Sequence, residues 1–123
     1  MKSPEQIEPS FPEWPVTWSG TEDDIPYGNG LIEAMRPFII HLIDQGLKVK
    51  TVRNHMNNLW LLGGEIIRSV STHDDYKIPP AESLRRSVDQ DGGPYCHHFT
   101  TEEEARSYDA TCRKLSKFLE SKG

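Results

Sequence analysis

Two cysteines and two histidines in the last third of the chain are the residues best suited to hold a metal ion. Cys96, His97 and His98 are consecutive, and Cys112 follows further along. Structural zinc sites usually pair their ligands at C-x2-C or H-x3-H spacing, which this cluster lacks. Cys112 also falls on the apolar stripe of a predicted helix, where a buried thiol is the common role. The sequence therefore predicts two free thiols, no metal site and no cofactor.

The sequence carries none of the short motifs that mark common catalytic sites. G-x-S-x-G, the P-loop, the dinucleotide fingerprint and H-E-x-x-H are all missing. His41 and His55 lie on predicted helices, but neither has a cysteine or serine placed near it in sequence to act as a nucleophile. We expect a non-enzymatic protein with no small-molecule substrate. An enzymatic role would need a pocket around Cys96, His97 and His98.

A basic, asparagine-rich helix face is the strongest candidate for binding. Residues 48–64 hold three basic side chains and no acidic one. Lysine and arginine suit phosphate groups, and asparagine can pair with adenine edges or phosphate oxygens. The alternative interpretation is an ordinary solvated helix face. The candidate DNA-binding residues are Lys48, Lys50, Arg53, Asn54, Asn57 and Arg68.

A helical hairpin over residues 31–70 must position this face. Apolar residues recur there every three or four positions in two stretches, which indicates two amphipathic helices. Pro37 lies in the first stretch, so the first helix either kinks there or starts there. Gly46 suits a left-handed C-terminal cap, and the second helix opens near residues 48–51. A connection this short predicts antiparallel packing.

Further signals in the sequence predict the rest of the helical body. The pair Gly63-Gly64 lies inside the second helix and favours either a close neighbour or a kink. Residues 71–77 are polar and loop-like, a short helix begins near Pro80, and residues 89–94 form a strong turn signal. The last helix begins at Thr100 or Thr101, with a capping box completed three residues later.

Residues 1–30 form a proline-rich, acidic segment. Its five prolines exclude a regular helix, so we expect an extended arm. A freely disordered tail is usually poor in aromatic residues, yet this one contains Phe11, Trp14 and Trp18. These three residues either cover the helical core or dock on a partner protein or a second copy of the chain.

Length and charge limit the classes to which the protein can belong. A chain of 123 residues is one domain, and the longest apolar runs of three or four residues exclude a membrane span. The net charge is −5, and residues 1–30 account for all of it with six acidic residues and one basic residue. Any nucleic-acid binding must therefore use a local patch. The N-terminus lacks an apolar signal region, so we expect a cytoplasmic protein.

The stretch from Phe38 to Leu59 resembles the core-binding, SAM-like N-terminal domain of tyrosine recombinases (phage-type integrases). In that family a helix ending in Gly-Leu-Ser leads into a second helix that starts with a threonine and carries an aromatic residue and a leucine. Here Gly46-Leu47 and Thr51 take these places, with Lys48 where serine usually caps the helix and His55 where tyrosine is common.

This resemblance covers about a third of the chain and leaves out the recombinase catalytic domain. No H-x-x-R motif occurs in the sequence. The resemblance implies a stand-alone four-helix module that clamps DNA without cutting it. It implies that the DNA-contacting positions are Lys48, Lys50, Arg53, Asn54 and Asn57.

The sequence as a whole predicts an all-α protein. We expect a bundle of about four helices over residues 31–123 and an extended arm over residues 1–30. The predicted function is that of a non-catalytic binding module for duplex DNA. The alternative is a protein-interaction or small regulatory, antitoxin-like subunit that binds through Phe11, Trp14 and Trp18. Salt dependence separates the two, because phosphate binding weakens steeply as salt rises.

Overall fold

The structure, a computed structural model, describes residues 2–96 and 98–122. This part of the chain is all-α and contains no strand, so the predicted fold class is confirmed. None of its helices combines the length and apolar character that crossing a membrane requires. The helices are α1 (Pro4–Ile7), α2 (Trp14–Trp18), α3 (Asp24–Asp44), α4 (Val49–His73), α5 (Pro80–Ser87) and α6 (Glu102–Lys122), with a 3-10 turn at Phe11–Glu13.

Helices α3 and α4 form the predicted hairpin and pack against each other. Gly46 follows α3 with a φ of 79°, in the left-handed region that suits glycine, as predicted. Helix α3 runs through Pro37 and begins at Asp24, so the alternative in which it starts at Pro37 is wrong. The turns before Pro37 are held in the helix because they bury apolar side chains: Tyr27, Leu31, Ile32 and Met35.

Helix α4 is longer than the sequence predicts. It continues to His73, so residues 71–73 are helical rather than part of a loop. Asp74 ends the helix with a φ of 55°, a left-handed conformation that aspartate adopts more readily than most residues. Gly63 is buried in the middle of α4 against the indole of Trp18. The glycine pair therefore provides room for a close neighbour.

The extended arm predicted for residues 1–30 is wrong. Two short helices and a 3-10 turn occupy residues 4–18, and each of these elements has a proline in its first turn. Proline is tolerated there because the N–H that it lacks has no partner in the helix anyway. Helix α3 begins at Asp24, so the boundary expected at residue 30 falls inside a helix.

Helices α5 and α6 complete the body. α5 begins at Pro80, as predicted, and packs on α3, while α6 packs on α4. Thr101 and Glu104 cap the start of α6, because the amide of Glu104 donates to Oγ1 of Thr101 at 3.1 Å. One core connects all these elements and includes Phe11 from the N-terminal segment.

Candidate nucleic-acid interface

The first three turns of α4 carry the predicted basic surface. Lys48 is the residue that caps the helix, and Lys50, Asn54 and Asn57 follow with exposed side chains. The first turn of α4 contains no acidic residue. The positive end of the helix dipole and the two lysines therefore act together, and both favour an anion.

Arg53 is exposed on the same surface but is also tied to the N-terminal segment. Its Nε and Nη2 atoms donate to the carbonyl oxygen of Ile7 at 3.2 and 3.1 Å. Ile7 ends α1, so these bonds satisfy a carbonyl that the short helix leaves free. Arginine has five N–H groups, so Arg53 keeps donors for a further acceptor.

Acidic side chains border the other end of this surface. Asn54 and Asn57 line an open groove that Glu103 and Glu104 of α6 also line. The hydrogen bonds that Glu104 accepts from Thr100 and Thr101 lower its pKa, so it is a carboxylate at neutral pH. Two carboxylates beside the asparagines repel phosphate groups. The end with Lys48 and Lys50 is therefore the part of α4 that most favours an anion.

Arg68 points in the same direction as Lys50 but is distant from it. The two residues are separated by five helical turns, which is about 27 Å. The indole of Trp18 lies on Gly63 and Gly64, between Asn57 and Arg68 along the helix. The structure therefore brings five of the six predicted residues together and leaves Arg68 apart from them.

Two lysines that the sequence reasoning did not include lie at the same end of the bundle. Lys114 and Lys117 of α6 line a groove with His41, in the last turn of α3, and with Gln45, which follows that helix. Lys114 is also close enough to His55 on α4 to lower its pKa electrostatically. The position of these lysines beside α4 depends on helix packing, which no local pattern reports.

A ladder of polar side chains fixes α4 against α6 next to this surface. Nδ1 of His55 lies 2.8 Å from Oγ1 of Thr111, and Nδ2 of Asn58 donates to the same oxygen at 2.8 Å. The hydroxyl of Thr111 donates to the carbonyl oxygen of Ser107 at 3.2 Å. Burial, followed by the charge of Lys114, lowers the pKa of His55, which favours the neutral imidazole.

The aromatic residues proposed to bind a partner lie largely inside the protein. Phe11 is fully buried and Trp14 is 3% exposed. Trp18 is half-buried, and its Nε1 donates to the carbonyl oxygen of Trp60 at 2.9 Å. The apolar side chains that remain exposed nearby are those of Val16, at 57%, and Trp60, at 38%.

Both cysteines are buried free thiols. Burial is the main cause that raises the pKa of the Cys112 thiol to about 12, so this side chain is a neutral core residue at physiological pH. Cys96 lies in the segment between α5 and α6, and His98 is exposed beside it. His97 lies outside the described residues.

We compared the chain with protein-family models, with curated proteins and with solved structures, and none of the three comparisons gave a match. The resemblance to the core-binding domain of tyrosine recombinases therefore stays a prediction.

Proposed function

We propose that this protein is a non-catalytic, integrase-like helical module that binds duplex DNA through the first turns of α4. The proposal rests on one observation. Lys48 and Lys50 are exposed at the positive end of a long helix that has no acidic residue in its first turn. A phosphate group placed there meets two cations and free backbone N–H groups together.

Neighbouring side chains extend this surface in a way that suits DNA. Arg53 lies one turn beyond Lys50 along α4. Lys114 of α6 lies close to His55 of α4. These four cations make the sequence-independent contacts to the phosphate backbone. Asn54 lies next to Arg53, where an amide can donate to and accept from a base edge.

The acidic groove limits how the DNA is oriented. Glu103 and Glu104 border the groove that Asn54 and Asn57 line, so the duplex runs across the lysine end of α4 and turns away from the start of α6. A cytoplasmic setting is part of this proposal, and the two free thiols agree with it.

Fluorescence anisotropy with labelled random duplex DNA tests the proposal at about 50 mM salt, where phosphate contacts are strong. We expect the Lys48→Glu, Lys50→Glu variant to bind much more weakly than the wild type. A matched variant, Lys77→Glu, Arg85→Glu, makes the same change in net charge at two exposed residues on the α5 side of the protein. It should retain most of the affinity. Equal loss in both variants would attribute the binding to net charge and reject the proposed surface.

A protein partner is the second candidate function, and the exposed side chains of Val16 and Trp60 favour it. Trp60 contacts the residue that follows Val16, since Nε1 of Trp60 donates to Oγ1 of Thr17 at 2.9 Å. An apolar contact of this kind changes little with salt. Trp60→Ala would abolish such binding and would leave the interaction of Lys48 and Lys50 with DNA intact.

A further inference from the structure

Three side chains from two separate parts of the chain converge on α4. They are Glu65 of α4 and, from the segment between α5 and α6, Cys96 and His98. A carboxylate oxygen of Glu65, the Sγ atom of Cys96 and a ring nitrogen of His98 all lie within 4.8 Å of one another. Tetrahedral zinc holds such ligand atoms about 3.5 Å apart. Side-chain rotations that move these atoms by about 1 Å would therefore bring all three within bonding distance of one ion.

The three residues differ in burial in a way that suits an accessible metal site. Cys96 is 3% exposed, Glu65 is half-buried and His98 is exposed. Glu65 also lines a cavity of about 330 Å³ between α4 and α5, and Pro94 is part of the same wall. The exposed imidazole and the half-buried carboxylate therefore leave the set of three ligands open on one side to an ion and to a water molecule.

A second observation comes from the hydroxyl of Tyr108. Tyr108 is 1% exposed, and its hydroxyl has no hydrogen-bond partner among the residues that the structure describes. Burial is the main cause that raises the pKa of Tyr108, and its electrostatic interactions with Cys112, Cys96 and Glu65, together with its contact with the Cys112 thiol, raise it further. The unpartnered hydroxyl is thus close to the thiols and to the carboxylate. A metal-bound thiolate is a hydrogen-bond acceptor of the kind that this hydroxyl lacks.

We propose that Glu65, Cys96 and His98 bind a divalent transition metal, with zinc as the preferred ion. A thiolate and an imidazole select against magnesium and calcium, whose ligands are oxygen atoms, and they suit tetrahedral zinc. Three protein ligands leave the fourth position to water. Cys112 packs in the core and lies outside the set of three ligands.

The ion joins the segment before α6 to the middle of α4. This role is independent of DNA binding, because none of the three ligands belongs to the candidate DNA surface around Lys48 and Lys50. Metal that binds only the folded chain also stabilises it by mass action.

Cobalt(II) is a suitable probe, because a thiolate bound to it gives a charge-transfer absorption. The full chain is first treated with a chelator and a phosphine reductant and is then titrated with cobalt. We expect this absorption to saturate at about one equivalent and to disappear when zinc is added, because zinc lies above cobalt in the order of affinity. Absence of a thiolate absorption in the wild-type chain would overturn the proposal.

Matched variants then identify the ligands. Cys96→Ser should abolish the absorption and Cys112→Ala should retain it. His98→Ala and Glu65→Gln should each weaken binding at least tenfold. His98 is exposed, so its replacement tests the site even where a cysteine variant fails to fold by circular dichroism. Unchanged affinity in both His98→Ala and Glu65→Gln would mean adventitious binding to a thiol, and loss in Cys112→Ala with retention in Cys96→Ser would equally reject the assignment.

Discussion

The indole of Trp18 lies directly on Gly63. A Cβ atom built at Gly63 would stand 2.2 Å from Cζ2 of Trp18, closer than any real contact allows. The indole cannot easily move away, because its Nε1 donates to the carbonyl oxygen of Trp60. Together with the bonds from Arg53 to Ile7, this contact attaches the N-terminal segment to α4, the helix that carries the candidate DNA surface.

The contact predicts opposite effects for two neighbouring glycines. Gly63→Ala should lower the free energy of unfolding by about 1–3 kcal/mol, because overpacking outweighs the gain in helix propensity. At Gly64 the nearest atom of Trp18 would be 3.5 Å from a new Cβ, an ordinary contact. Gly64→Ala should therefore leave the stability unchanged or raise it by up to about 1 kcal/mol. Urea denaturation of both variants measures the difference, and equal effects would mean that Trp18 is not seated on Gly63.

Asp24 should make folding stability depend on acid pH. It is 1% exposed and accepts hydrogen bonds from the hydroxyl of Tyr76 at 2.6 Å and from the backbone amide of Gly20 at 2.8 Å. Burial alone would raise the pKa of this carboxyl, but the hydrogen bonds outweigh burial and lower it. The unfolded chain then binds the proton first, at about pH 4, so the stabilisation is complete above that pH and is lost as the pH falls further.

Asp24→Asn tests this point. The variant should lose about 1–3 kcal/mol near neutral pH, because an amide nitrogen replaces an accepting oxygen. Its deficit relative to the wild type should shrink as the pH falls below about 4, where the wild-type carboxyl is itself protonated. The control is Asp44→Asn at the exposed end of α3, where we expect a change within about 0.5 kcal/mol. A deficit that stayed constant down to low pH would show that the charge of Asp24 does not contribute.

The sequence predicted the hairpin well because its signals are local. Apolar spacing marked both helices, and Gly46 marked the end of the first one. The N-terminal segment could not be predicted in the same way. Prolines indicated an irregular arm, yet Pro4, Pro12 and Pro15 each lie in the first turn of a short helical element. The segment is held by contacts such as Trp18 on Gly63, which join residues far apart in sequence.

His55 should titrate below the usual histidine range. Burial is the larger cause of its lowered pKa, and the charge of Lys114 is the smaller one. Lys114→Gln should therefore raise the pKa of His55 only in part, as measured by an NMR titration of the imidazole signals. Lys77→Gln removes an exposed charge elsewhere and should leave it unchanged.

The lowered pKa of His55 also predicts the direction in which folding stability changes with pH. The unfolded chain protonates this histidine first, at about pH 6.5, so the contribution of His55 to stability falls as the pH drops below that value. A folded-state pKa at or above the ordinary value would contradict the half-buried position of His55 beside Thr111.

Two tyrosines allow a matched test of buried hydroxyl groups. The hydroxyl of Tyr27 donates to the carbonyl oxygen of Ile78 at 2.6 Å, and we expect Tyr27→Phe to cost about 1 kcal/mol. The hydroxyl of Tyr108 has no partner within the described ranges, so Tyr108→Phe should be neutral or stabilising in the metal-free chain. Thermal denaturation of both variants in the presence of a chelator measures this. A larger loss for Tyr108→Phe would mean that its hydroxyl is satisfied.

The candidate surface was only partly predictable from the sequence. Side-chain type and helical spacing identified Lys48 and Lys50, since an exposed helix face is a local property. The bonds from Arg53 to Ile7 and the carboxylate of Glu103 beside Asn57 arise from the packing of α1 and α6 on α4. Glu65 was not recognised as a metal ligand for the same reason, because Cys96 and His98 reach it only through the fold.

The most direct test of the proposed function is the salt dependence of DNA affinity. Four phosphate contacts, from Lys48, Lys50, Arg53 and Lys114, predict that the logarithm of the association constant falls against the logarithm of salt concentration with a slope of about −3.6. The Lys48→Glu, Lys50→Glu variant should reduce this slope by about 2, and the control variant at Lys77 and Arg85 should retain it. An affinity that stays constant between about 50 and 200 mM salt, or no binding at the lower concentration, would contradict the proposed DNA-binding function.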